Sequence, residues 1–146
     1  MLDQPVNKLI PTGKVDHITS DMLVLDAIRY MAQVRRGAVP VIEDGHLAGM
    51  FSERDLMLRV ILAGRDPAAV RVKEVMSREL VVAQANESSR ECLLKMKQMH
   101  FRHLPVVDGD TLVGILSFRD LMEAEADLKA QEIDMLNYYV GYTPEQ

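Results

Sequence analysis

Apolar and polar positions alternate most clearly between Leu104 and Leu121. Leu104, Val106 and Val107 make one short extended run, and Leu112, Val113, Ile115 and Leu116 make a second, with Asp108-Gly109-Asp110 between them. Two such runs about an Asp/Gly turn predict a β-hairpin. Ser117-Phe118-Arg119-Asp120 follows, and a Ser-x-x-acid leading into apolar residues marks a helix start. The same pattern stands 65 positions earlier, from Val39-Pro40-Val41-Ile42 through Asp44-Gly45 to Gly49-Met50-Phe51-Ser52-Glu53-Arg54-Asp55-Leu56. No gap is needed, and Pro, Val, Leu, Gly, Ser, Arg, Asp and Leu coincide. The chain is a tandem duplication.

The rest of the chain reads in the same register. Val6, Leu9 and Ile10 allow one helical turn between Pro5 and Pro11. Val15 to Ile18 is expected to be extended. Ser20 or Asp21 is expected to cap a helix with Leu25, Ile28, Met31 and Ala32 on its apolar stripe, ended by Arg35-Arg36-Gly37. After the first hairpin, a helix from Glu53 to about Ala63 carries Leu56, Val60 and Ala63 on one stripe, with Met57 and Ile61 beside it. In the second copy Val72 to Met76 matches Val6 to Ile10, with Lys73 in the register of Lys8, and Leu80 to Ala83 is the short strand. Asn86 is expected to cap a helix bearing Cys92, Leu93, Met96 and Met99. The last helix runs on to about Val140, where Gly141 and Pro144 end it. The expected organisation is one module over 1–146: repeat 1 at 5–63, a linker at 64–71, repeat 2 at 72–122 and a helical extension at 123–146. One-sided helices beside short strands give α/β or α+β layering.

Composition narrows the functional classes. A chain of 146 residues with 48% hydrophobic and 27% charged residues is globular, and each copy alone is too short to bury an ample core. A net charge of −5 argues against nucleic acid or a membrane surface as partner. No apolar run approaches a membrane span, and the N-terminus has no signal-peptide layout, so a cytoplasmic location is expected. The single cysteine, Cys92, excludes an internal disulfide and, on a core-facing helix position, reads as a small buried hydrophobe. His100 and His103 without a further cluster do not make a metal site.

The tandem pattern over residues 5–122 resembles a CBS domain pair, or Bateman module. In that family each hairpin ends in Gly-h-h-Ser/Thr-x-x-Asp, with h apolar, and both copies here are intact: Gly49 to Asp55 and Gly114 to Asp120. Arg102-His103-Leu104-Pro105-Val106-Val107 also follows the family's usual text, whereas Arg36-Gly37-Ala38-Val39-Pro40 departs from it. The resemblance implies two small sheets, each with two covering helices, related by a pseudo-twofold axis with two clefts between them. It further implies an adenosyl ligand (AMP, ADP or ATP, less often NAD or S-adenosylmethionine), dimerisation into a flat disc, and signalling to an attached or separate protein.

The residues suit that chemistry. A carboxylate can accept both hydroxyls of a ribose diol, a role open to Asp55 and Asp120. Ser52 and Ser117 stand at helix N-termini, where free N–H groups favour phosphate. Arg54, Arg119, Arg102, His103 and Lys14 are candidate cationic partners for it, and Gly37 and Ala38 leave room for an adenine ring. The alternative is that Ser-x-x-Asp is only a capping box and that Arg54 and Arg119 are solvated helix charges. Tyr138, Tyr139 and Tyr142 either cover the subunit's own core or lie across a partner subunit. With no nucleophile–base pair, metal cluster or Walker-type loop in the sequence, the expectation is a regulatory protein, not an enzyme. It would work as a homodimer that binds an adenine nucleotide and acts on an unidentified protein target. A ligand-free interaction protein is the other reading.

Overall fold

A computed structural model describes residues 3–11 and 13–141. A 3-10 turn at Val6–Lys8 leads to β1 (Ile18–Thr19), α1 (Val24–Val34), β2 (Ala38–Glu43), β3 (His46–Ser52) and α2 (Glu53–Asp55). A π-helical segment, Leu56–Ile61, continues α2. The second copy supplies α3 (Val72–Val75), β4 (Ala83–Gln84), α4 (Ser89–Met99), β5 (His103–Asp108), β6 (Thr111–Ser117) and α5 (Phe118–Tyr139). The strands form two three-stranded sheets, β1-β2-β3 and β4-β5-β6, each with a parallel first pair and an antiparallel hairpin. Both hairpins shift register at the same place, between Val41 and Ile42 and between Val106 and Val107. The turns differ. Asp44 and Gly45 both have positive φ (51° and 79°), whereas in the second hairpin Gly109 alone does (61°). Moving the glycine forward by one position changes the loop from a type I′ to a type II′ pattern without changing its length.

Several helix and strand starts differ from the sequence expectation. α1 is not capped by Ser20 or Asp21 but begins after Leu23, and its first free N–H groups find distant carbonyls: Val24 N donates to Val70 O (2.8 Å) and Leu25 N to Pro67 O (2.9 Å). α4 begins after Ser88, not Asn86, because the Ser88 hydroxyl accepts from Glu91 N at 3.1 Å. The paired strands are Ile18–Thr19 and Ala83–Gln84, just beyond the segments expected to be extended. Arg35, not Gly37, takes the left-handed conformation that ends α1 (φ 56°), and Arg36 N closes back on Met31 O at 3.0 Å. Ala63 is exposed rather than on a buried stripe.

Two cores result, and each is completed by the other copy. Ile18, Val24, Ala27, Met31, Val39, Val41, Phe51 and Val60 pack with Val70, Val72, Val75 and Met76 from the start of the second repeat. Ala83, Cys92, Met96, Leu104, Val106, Leu116 and Leu121 pack with Val6, and Leu9 and Ile10 lie against them. Backbone bonds fix the exchange in matched fashion: Val72 N to Met22 O and Val6 N to Glu87 O, both 2.9 Å, then Lys73 N to Ser20 O (3.0 Å) and Asn7 N to Ala85 O (3.1 Å). These pairs align Lys73 with Asn7, not Lys8. One extra residue between Ile10 and Lys14 restores the register of 65 thereafter. Cys92 is fully buried and burial pushes its thiol up to about 11, in keeping with a core residue.

Gly49 and Gly114 are where the exchanged segments cross. A Cβ on Gly49 would stand 2.6 Å from the Ser77 carbonyl oxygen, and one on Gly114 2.6 Å from Ile10 Cδ1. Outside the cores, the π segment exposes Met57, Leu58, Ile61 and Leu62, the last of them 72% exposed. The far half of α5 exposes Ile133, Met135, Leu136, Tyr138, Tyr139 and Val140. Tyr138, 83% exposed, and Tyr139 meet edge to face with ring centroids 6.1 Å apart and do not cover the subunit's own core. Tyr142 and Pro144 lie outside the described residues. No described helix is long and apolar enough to cross a membrane.

Candidate functional site

The site grows out of the two hairpin ends. Each strand pair delivers a serine to the start of the next helix, and in both copies Ser-x-x-Asp forms a capping box. Asp55 N donates to Ser52 Oγ at 3.2 Å, while Ser52 N and Ser52 Oγ both donate to Asp55 Oδ2 at 3.0 Å. Asp120 N donates to Ser117 Oγ at 2.9 Å, and Ser117 N to Asp120 Oδ2 at 3.3 Å. The capping role is therefore real in both repeats. It is not the whole of Asp55, which is 7% exposed and whose Oδ1 accepts from Ser77 Oγ at 3.0 Å.

Two clefts open beside these ends. The first, about 170 Å³, is lined by Ala38, Met50, Ser52, Asp55, Ser77, Glu79, Leu80, Val81, Phe101, Arg102, His103 and Pro105. The second, about 60 Å³, is lined by Pro11, Lys14, Val15, Asp16, Arg36, Ala38, Val39, Pro40, His103, Gly114 and Ile115. They are counterparts under the repeat: Glu79, Val81 and Phe101 in the first stand where Lys14, Asp16 and Arg36 stand in the second. Ala38 and His103, themselves counterparts, line both, so the clefts adjoin there.

Of the residues marked by the sequence, the first cleft gathers Ser52, Asp55, Arg102, His103 and Ala38, and the second gathers Lys14, Ala38 and His103. Gly37 lines neither. It gives its carbonyl to Glu53 N at 2.9 Å and has the Glu53 carboxylate over its Cα. Arg54 is exposed outside both clefts, and Arg119 pairs with Glu123 along α5 at 3.1 Å. Ser117 and Asp120 are half-buried and outside both linings, although Asp120 acts on His103. The structure adds Ser77, Glu79 and Phe101 to the first cleft and Asp16 and Arg36 to the second. Arg36 lies 3.5 Å from Asp16, which also accepts from Tyr30 Oη at 3.4 Å. Phe101 and Arg36 carried a signal in the sequence, each standing at the end of a helix just ahead of a hairpin. Ser77 carried none, since it stands outside both Ser-x-x-Asp motifs.

The two clefts differ electrically. Asp55, Glu79 and Arg102 give the first an acidic balance, and Lys14, Asp16 and Arg36 give the second a basic one. Between them, desolvation holds the His103 imidazole below its ordinary range; Arg36 and Arg102 push the same way and Asp120 opposes them. The folded chain then binds that proton more weakly than the unfolded one. Stability should therefore fall as pH drops through the ordinary histidine range and be untouched above it. Urea unfolding across that range is expected to show the decline in the wild type and a flatter profile in His103→Gln. Equal profiles would remove His103 from the account.

The fold is thus a duplicated β-hairpin unit with paired clefts, each repeat completing the other. A comparison with protein-family models finds the CBS domain at residues 6–61 and again at 72–127, and the chain belongs to the CBS domain family. CBS-pair proteins are regulatory, ligand-sensing modules. The chain is 40% identical over 110 residues to the CBS domain-containing protein YhcV of Bacillus subtilis, covering 75% of this chain and 78% of YhcV. The crystal structure of the CBS domain NE2398 superposes with a TM-score of 0.79 at 30% identity, covering 86% of this chain and 99% of that one. CBSX2, solved in complex with AMP, shares the fold with a TM-score of 0.74 at 22% identity, over 86% of this chain and 98% of that one.

Proposed function

We propose that this protein senses an adenine nucleotide of the AMP, ADP or ATP class and signals to a protein partner by a change of shape, without catalysing a reaction. The observation that carries the reading is the first cleft, where one cavity holds a carboxylate, a guanidinium and an aromatic ring. Asp55 can accept from a ribose diol, Phe101 offers a face to a base, and Arg102 can pair with phosphate. CBSX2, with AMP bound, supports the ligand class through the shared fold. The exposed apolar residues of the π segment and of α5 support a homodimer. A net charge of −5 keeps nucleic acid and anionic membrane out of the partner set, and the cytoplasm is the proposed location.

Calorimetric titration with AMP, ATP, NAD and S-adenosylmethionine tests this directly, repeated with Asp55→Ala and Asp120→Ala. The expected result is binding by an adenine nucleotide that weakens at least about tenfold, or 1.4 kcal/mol, in Asp55→Ala. Asp120→Ala should weaken it less, because Asp120 does not line the larger cleft. A second reading has its own observation: the Asp55 carboxylate is already bonded on both oxygens, as in a ligand-free interaction protein. No heat with any of the four ligands, and variants altered in stability alone, would establish that reading instead.

A further inference from the structure

Among the described residues, the Asp55 carboxylate has partners that its counterpart Asp120 lacks. Its Oδ2 is committed to Ser52 in the cap, but Oδ1 accepts from Ser77 Oγ at 3.0 Å and lies 3.8 Å from Arg59 Nε. Arg59 is held at its other end as well, because Nη1 donates to Met76 O at 3.0 Å and to Val75 O at 3.3 Å, at the end of α3. The second repeat has Ala124 at the position of Arg59, and that side chain cannot donate.

The helix that carries these groups also departs from its counterpart. After Asp55 the chain winds as a π-helix, with Leu62 N bonded to Met57 O and Arg65 N to Val60 O, both at 2.9 Å and both spanning five residues. The matching stretch of the second repeat lies inside the regular helix α5. Long π segments are rare and persist where a local constraint holds them. Here the constraint is visible: Arg59 is tied back to Asp55 and across to α3 within one turn.

The geometry points to Arg59 as a positioning residue of the first cleft, with the π segment as the element that shifts when Asp55 Oδ1 changes partner. The inference rests on the reading of that cleft as a ligand site. A ribose hydroxyl donating to Oδ1 competes with Ser77 Oγ and crowds the Arg59 guanidinium. Loosening either contact frees the end of α3 and the turn between Leu56 and Ile61. That turn exposes Met57, Ile61 and Leu62, so occupancy of the cleft is read out at an apolar surface about one helical turn away. Among the described residues the second repeat has no such linkage, and its helix stays as it is.

Amide hydrogen exchange on the full-length chain, resolved to segments, tests this with AMP as the probe. Asp55→Asn removes the charge that Arg59 faces, and exchange over residues 56–62 should rise about tenfold while 121–127 is unchanged. AMP should alter exchange over 56–62 in the wild type. Arg59→Met should abolish that response, and Arg59→Lys should restore part of it by keeping the cation. A merely structural Arg59 would raise exchange everywhere when replaced. Equal responses at 56–62 and 121–127, or an Arg59→Met variant that still responds, would overturn the proposal. If AMP fails to bind the wild type, the reading of the cleft fails. The Asp55→Asn result then decides the linkage alone, and an unchanged 56–62 sinks it.

Discussion

Phe51→Ala is expected to destabilise the protein by about 3–5 kcal/mol, the range for removing a buried aromatic ring. Phe51 is fully buried and pairs with Val39 across the first hairpin, in the core that holds both α1 and the start of the second repeat. Phe51 also lines, with Ile28, Met31 and Leu56, a surface pocket of about 400 Å³, so the space it leaves adjoins solvent. The total stability of a domain is only about 5–15 kcal/mol, which makes this one ring a large fraction of it. Urea unfolding should show a lower midpoint with an unchanged slope. A loss below about 1 kcal/mol would mean that the pocket collapses onto the gap and that the packing described here is not what holds the first repeat.

Gly49→Ala is the second large effect, expected at about 1–3 kcal/mol, the usual cost of overpacking. The added methyl group would meet backbone, the Ser77 carbonyl at 2.6 Å, and Met76 Sδ at 3.0 Å. Neither strand can yield easily, because Met50 N donates to Ser77 O and Ser77 N to Met50 O, both at 2.9 Å. The three atoms nearest to a methyl group on Gly114 all belong to the Ile10 side chain, whose half-buried end can turn away. The two substitutions are identical in the sequence repeat, so a thermal unfolding comparison isolates the backbone wall. Gly49→Ala should lower the midpoint several degrees more than Gly114→Ala. Equal midpoints would contradict the asymmetry.

What the sequence made legible was whatever chemistry is local. The turns at Asp44-Gly45 and Gly109, the capping boxes at Ser52 and Ser117 and the apolar alternation of both hairpins are decided by neighbours a few residues apart. The errors share the opposite cause. Ser20 looked like a cap, but it is buried, its N–H is given to Ile42 O at 3.2 Å, and α1 takes its capping carbonyls from Pro67 and Val70. A helix start satisfied from more than forty residues away leaves no mark beside it in the chain. The site behaves likewise. As lining residues of the first cleft, Asp55, Ser52, Arg102 and His103 follow from the repeat and its resemblance, whereas Ser77 enters, and Arg59 is held, through the segment that opens the second repeat. Gly37 lines neither cleft, and in the sequence a missing side chain looks the same whether it makes room for a ligand or for Glu53.

The exchange of leading segments bears on how such a chain could arise. A single copy with its own leading segment cannot fill its own core, because Val6 lies among the residues of the second repeat and Val72 among those of the first. Half of this molecule would be complete only as a symmetric pair, each member lending its first residues to the other, and therefore only above some threshold concentration. Joining two such halves end to end, through as short a bridge as Gly64-Arg65-Asp66-Pro67, raises their mutual concentration to the order of millimolar whatever the cell contains. It also lets the halves drift apart in sequence. A pair of identical subunits must change both of its clefts together, but a fused pair can place Phe101 in one and Arg36 in the other.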